Sequence, residues 1–127
     1  MNVTEPLAID VENAGDPLFT KLICNGVSDG VSACSVRFPG FPDTMLELLA
    51  DPRTTKVLHN AQHDLLCLQA NGVEVRGPVF DTMVAHAALF PLMPHRLSFV
   101  AAQFFALPRW KTEFADEGEY KGLDLDR

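Results

Sequence analysis

Basic residues are in short supply: 10 Lys and Arg stand against 17 Asp and Glu, a formal net charge of −7 over 127 residues. A protein that coats duplex nucleic acid by charge alone needs the opposite balance, so that class is disfavoured. A nucleic-acid enzyme is not excluded, because metal-binding carboxylates make such an enzyme locally acidic. Cysteine is scarce too. Cys24, Cys34 and Cys67 have no metal-ligand spacing and leave one thiol over in any disulfide scheme, which points to a reducing, intracellular setting. No apolar run nears the ~20 residues of a membrane span. Met1 to Pro6 carries neither the basic nor the apolar segment of a secretory leader, so none is expected. Repeats, low-complexity tracts and linkers are missing, as are a Gly-rich phosphate loop and a Gly-x-Ser-x-Gly elbow. What remains is 47% hydrophobic and 21% charged, the profile of one globular domain with a real core.

Leu7 to Glu12 reads as a strand whose nearly continuous apolar character suits burial on both faces. Leu18 to Val27 and Val31 to Phe38 are further strands joined by a hairpin at Ser28-Asp29-Gly30. Asp43 or Thr44 caps a short helix through Leu49. Lys56 to His59 is a strand, and Ala61 to Asn71 a helix closed by Gly72. An extended stretch ends at Phe80, and Asp81 caps a helix through Ala88. A last helix spans about Leu97 to Phe105. Hairpins first and strand–helix alternation afterwards require a mixed α/β sheet. Its first strand is central, its early strands are antiparallel, its later strands run parallel to the first, and helices cover its faces.

Two segments carry chemistry. Asp10 and Glu12 stand at alternate positions of the first strand, so both carboxylates point the same way. They repel unless a cation lies between them, and hard oxygen ligands favour Mg²⁺ or Mn²⁺. Two solvated acids at a strand end fit that spacing equally well. The second segment is His59-Asn60-Ala61-Gln62-His63-Asp64. Parallel pairing would bring Asp64 to the carboxyl ends of adjacent strands, opposite Asp10 and Glu12. The plainer alternative makes Asn60 a helix cap and Asp64 a first-turn acid favoured by the helix dipole. Phe99, Phe104 and Phe105 have core spacing, and the three cysteines read as inert core thiols.

Together these segments resemble the first two motifs of the DEDD superfamily of 3′–5′ exonucleases, which has a ribonuclease H-like fold. Asp10-Val11-Glu12 matches the first motif, and Asn60 with His63-Asp64 matches the second, His63 replacing the usual Phe or Tyr. Phe80-Asp81-Thr82 to Leu89 is similar to the superfamily's D-T-x-x-A-x-x-L helix. His95 to Ala101 is similar to a helix of proofreading domains in family A DNA polymerases. The resemblance implies that Asp10, Glu12 and Asp64 are catalytic and hold two Mg²⁺ or Mn²⁺ ions, one activating water and the other stabilising the leaving 3′ oxygen. It implies that Asn60 and His63 contact the substrate, the 3′ end of single-stranded nucleic acid, DNA of proofreading type being the first choice. A polymerase domain in the same or another chain is the implied partner, in the cytoplasm of a bacterial or phage-infected cell. An exoribonuclease and a catalytically silent structural or binding domain remain as alternatives.

The superfamily's third motif is Tyr-x-x-x-Asp on a late helix. Tyr120-Lys121-Gly122-Leu123-Asp124 fits by letter, but Gly122 and its polar neighbours make a poor helix interior. The chain is therefore expected to be a single exonuclease domain over residues 1–127, cut short before that helix. Such a domain is a poor nuclease alone and associates with itself through an open apolar face.

Overall fold

The computed structural model describes residues 6–16 and 21–106. Five strands and four helices follow the order anticipated from the sequence: β1 (Leu7–Asn13), β2 (Leu22–Ser28), β3 (Ala33–Arg37), α1 (Asp43–Ala50), β4 (Lys56–Leu58), α2 (Ala61–Ala70), β5 (Val79–Asp81), α3 (Thr82–Leu89) and α4 (Leu97–Phe105). They form one sheet in the order β3-β2-β1-β4-β5, so β1 is central. The β1–β2 and β2–β3 pairs are antiparallel, and β1–β4 and β4–β5 are parallel. This is the mixed sheet that the hairpin-then-crossover order requires.

β1 corrects one expectation. It is buried on one face only: Leu7, Ile9 and Val11 are buried, and Ala8, Asp10 and Glu12 are exposed. Alternation is the signature of a sheet packed on one side. The buried face meets Met45 and Leu49 of α1 and Ala61, Cys67 and Leu68 of α2 in a single core. A register shift between Glu12 and Asn13 moves the pairing of β2 by one residue. That bulge explains why Leu22, Asn25 and Val27 can all be buried although their spacing is not strictly two.

The first parallel crossover is held by an unusual anchor. Lys56 is fully buried in β4, and its Nζ donates to the carbonyls of Asp51 (2.6 Å) and Thr54 (3.0 Å). Burial pushes its amine down from the ordinary lysine range. Gly77 presses on the same loop: with φ +92°, a Cβ there would lie 2.8 Å from the Thr54 carbonyl. Only glycine fits both that conformation and that approach. The loop before β4 is thus gripped from two sides, which fixes where β4 begins.

Two further expectations are corrected. Cys67 is buried, but Cys34 is exposed on the edge strand β3 and Cys24 is half-buried. Phe104 and Phe105 are exposed, with Val84, Leu89 and Leu92. Among the described residues no helix is long and apolar enough to cross a membrane.

Leu68 is wholly buried where α2 meets the sheet, whereas Leu92 is 99% exposed. Leu68→Ala should cost about 2–5 kcal/mol in urea unfolding through the lost contacts and the residual cavity. Leu92→Ala should stay within about 0.5 kcal/mol of wild type.

Candidate active site

β1 outruns its parallel neighbour. Pairing with β4 involves only Leu7 and Ala8, and β4 stops at Leu58, while β1 continues to Asn13. The carboxyl half of β1 is therefore open on that side, and the chain leaving β4 turns into α2 beside it. Asp64, in the first turn of α2, is carried to this place. The negative charge of Asp10 acts on the Asp64 carboxyl, and the backbone N–H of Val11 lies near enough to favour its ionised form. Residues more than fifty positions apart in sequence are thus coupled electrostatically at the central strand.

Asp64 is 5% exposed. Its Oδ1 is 2.9 Å from Nδ1 of His63, and its Oδ2 is buried with no hydrogen-bond partner. Burial is the main cause that pushes its carboxyl up to about 6, with Asp10 adding to the rise and His63 opposing it. Glu12 lies two residues beyond Asp10 on the same exposed face of β1. Among the described residues no three His, Cys, Asp or Glu side chains stand as a ready-made metal-binding group. Carboxylates repel one another, so without a cation the acids have no reason to close into one. The donor set nevertheless suits a hard divalent cation. It consists of carboxylate oxygens, one of them buried and unpartnered beside a second negative charge.

Asn60 is exposed and sits at the start of α2 with φ 72°, a left-handed conformation that asparagine tolerates better than most residues. It occupies the cap position anticipated for it, but its side chain makes no cap hydrogen bond. The capping group is Asp81, whose carboxylate accepts from the N–H groups of Asn60 and Ala61 and also caps its own helix, α3. Sequence spacing revealed only the second of these roles. His63 is partly exposed and touches Asp64 rather than standing free.

The other histidines form a separate network. The His59 ring reaches the Thr82 hydroxyl (2.9 Å) and donates from Nε2 to the His95 carbonyl (2.6 Å). Buried His86 bonds to the His95 ring (2.7 Å) and to Gln103 (2.8 Å). The His95 ring is thus engaged with His86. A groove of about 590 Å³ opens on the exposed face of the sheet, lined among others by Asp10, Gly26, Cys34, His59, Thr82 and Leu97. Tyr120 and Asp124 lie outside the described residues.

A 3′–5′ exonuclease family model matches residues 31–123. The chain belongs to this family, and its motifs are those of the DEDD type. The matched span includes Asn60, His63 and Asp64 and leaves Asp10 and Glu12 outside it. No curated protein matches. Among solved structures, NrnC of Brucella melitensis is 24% identical with a TM-score of 0.77, over 89% of this chain and 58% of that one. RNase D of Escherichia coli, described as an exoribonuclease involved in structured RNA processing, is 20% identical with a TM-score of 0.67, over 94% of this chain and 35% of that one. The POL domain of Pol1 from M. smegmatis, in complex with DNA primer-template and dNTP, is 17% identical with a TM-score of 0.70, over 80% of this chain and 19% of that one. These likenesses show the fold, a ribonuclease H-like one. The chain spans 64% of the first of the matched structures, a nuclease without ligand, and less of the three just named.

The raised carboxyl of Asp64 has a consequence for stability. Its folded value of about 6 exceeds the unfolded value of 3.8, so the folded protein holds this proton more tightly. Its contribution to stability is present below about pH 4 and is lost as pH rises to about 6. Asp29, Asp51 and Asp81 have lowered values and work in the opposite sense in more acid solution. The Asp64 term is therefore read as a difference. In EDTA, the Tm of Asp64→Asn relative to wild type should rise between pH 4 and pH 6.5, and Mn²⁺ should stabilise wild type but not the variant.

Proposed function

We propose that the protein is a divalent-cation-dependent exonuclease that removes nucleotides from the 3′ end of single-stranded DNA. Asp10, Glu12 and Asp64 hold the cations, and Asn60 and His63 contact the substrate strand. The observation that carries this reading is the buried, unpartnered Oδ2 of Asp64, set beside Asp10 on the central strand. A purely structural carboxylate so deeply buried would have partners on both oxygens, whereas His63 satisfies only Oδ1. Mg²⁺ or Mn²⁺ supplies the missing positive charge and, when bound, the Lewis acidity that phosphodiester hydrolysis needs. NrnC is known with bound Mg²⁺, which supports that choice of cation.

The chain's own residues supply positions. β1 presents Asp10 and Glu12 to the open face of the sheet, α2 brings Asp64 against the strand edge, and His63 fixes one oxygen of Asp64 so that the other is available. Asn60 is exposed at the start of α2 and so is accessible to a substrate strand.

An RNA substrate is the second reading, supported by the likeness to RNase D and by NrnC being known with pGG bound. Both readings are tested by incubating the longest available form of this protein with 5′-labelled single-stranded DNA and RNA of one sequence, with Mn²⁺ or with EDTA. Stepwise shortening from the 3′ end, blocked by EDTA and faster on DNA, is the expected result. Asp10→Ala and Asp64→Ala should each lower turnover more than about 100-fold, beyond the loss typical of residues one step removed from a metal. Equal cleavage by wild type and Asp10→Ala would refute the site, and faster cleavage of RNA would transfer the assignment to the second reading.

A further inference from the structure

The proposed cation ligands leave out the carboxylate with the richest set of hydrogen bonds in the described residues. Asp81 ends β5, directly beside Leu58 in the parallel ladder. Its Oδ1 accepts from the N–H groups of Asn60 (3.1 Å), Met83 (2.9 Å) and Val84 (3.3 Å), and its Oδ2 from the N–H of Ala61 (2.8 Å). Burial raises its carboxyl, and the four N–H groups together outweigh that and hold it below the usual value. Thr82, the next residue, donates its hydroxyl to the Leu58 carbonyl (3.1 Å) and meets the His59 ring (2.9 Å). The dipeptide Asp81-Thr82 therefore grips every residue from Leu58 to Ala61, the whole passage from β4 into α2.

We infer that Asp81 is a positioning residue for the active site: by fixing the first turn of α2, it sets the place of Asp64 against β1. A helix start whose own cap side chain makes no bond, and whose cap residue is in the left-handed region, needs an outside group to hold it. Asp81 is that group. Asp64 lies three residues beyond Ala61, within the same turn, so a shift of that turn moves the Asp64 carboxyl relative to Asp10. A capping role toward α3 alone would require one oxygen. The second oxygen, turned to Ala61, serves α2. The part of the inference that concerns cation affinity rests on the proposed reading of Asp64, and the part that concerns its position does not.

Asp81→Asn separates the two roles. The amide oxygen still caps α3, while the NH₂ group faces the Ala61 N–H and cannot accept from it. Val73→Ala, a core truncation just past the other end of α2, serves as a control for general destabilisation. Two-dimensional ¹H–¹⁵N NMR without metal reads the Val11 amide, which senses the Asp64 carboxyl. In Asp81→Asn this resonance should move toward its position in Asp64→Asn, and in Val73→Ala it should stay near wild type. Calorimetry with Mn²⁺ should then show affinity reduced about 10- to 100-fold in Asp81→Asn and unchanged in Val73→Ala. If the Asn60 and Ala61 amides shift while Val11 stays at its wild-type position, the tie is broken without moving Asp64 and the inference is overturned. If Val11 moves but wild type binds no Mn²⁺, the positioning role stands and the cation reading falls.

Discussion

A carboxylate that water barely reaches, with one oxygen bonded to no donor and a second acid nearby, is the constraint around which this fold is organised. Asp64 has all three properties. Left alone, such a group costs free energy, and its raised proton affinity is the measure of that cost. The cost persists because the surrounding structure is rigid where it matters. The core of Leu7, Ile9, Val11, Leu49, Leu58 and Leu68 locks β1, β4 and α2 together beneath the site. A strained group held by an over-determined frame is the pattern of a binding site rather than of a folding element.

The frame has a mechanical logic. β4 is only three residues long, so its end is set by its flanks rather than by its own ladder. On the entering side, Lys56 ties down the carbonyls of Asp51 and Thr54, with Gly77 against the same loop. On the leaving side, Asp81 and Thr82 hold the backbone from Leu58 to Ala61. The segment around β5, at the edge of the sheet, takes part in both grips, through Gly77 on one side and Asp81 on the other. An edge strand of three residues contributes little apolar burial, since Val79 and Phe80 are largely exposed. Its value lies in polar contacts that cross to the neighbouring strand and helix.

Much of this was legible in the letters. Turn formers, the alternation of hairpins with crossovers and the apolar spacing fixed the order of all nine elements, and β1 emerged as central because hairpins and crossovers must leave it on opposite sides. The burial of β1 was misjudged because Ala8 counts as apolar by letter but lies on the open face with Asp10 and Glu12. The exposure of Cys34 was hidden for a related reason. Composition identifies a thiol as a small apolar group, while only topology shows that β3 is an edge. Asp10 and Asp64 were linked first by the parallel pairing that the element order implies and then by the family resemblance, since spacing alone cannot register a neighbour fifty residues away. Asp81 was legible as the cap of its own helix, a local role, and illegible as the support of α2, a contact twenty residues away.

The groove beside Asp10 bears on what the proposed enzyme can discriminate. Its lining is largely apolar or backbone, Gly26 and Leu97 included. Three of its polar members are committed: the Ser28 hydroxyl bonds to the Ser32 carbonyl and the Gly30 N–H, Thr82 donates to the Leu58 carbonyl, and both nitrogens of His59 already have partners. A surface of this kind holds a strand by shape and stacking, which every base satisfies, rather than by reading hydrogen-bonding edges. An enzyme that trims a terminus one nucleotide after another needs that tolerance. Recognition of a ribose hydroxyl needs the opposite, a free donor or acceptor at a fixed place. Thr82 and His59 are tied into the frame, so these two side chains are not presented to a ligand. The other polar side chains along the groove, Asp10, Cys34 and Ser35, and the exposed Asn60 at the start of α2 are where a preference between DNA and RNA would have to arise.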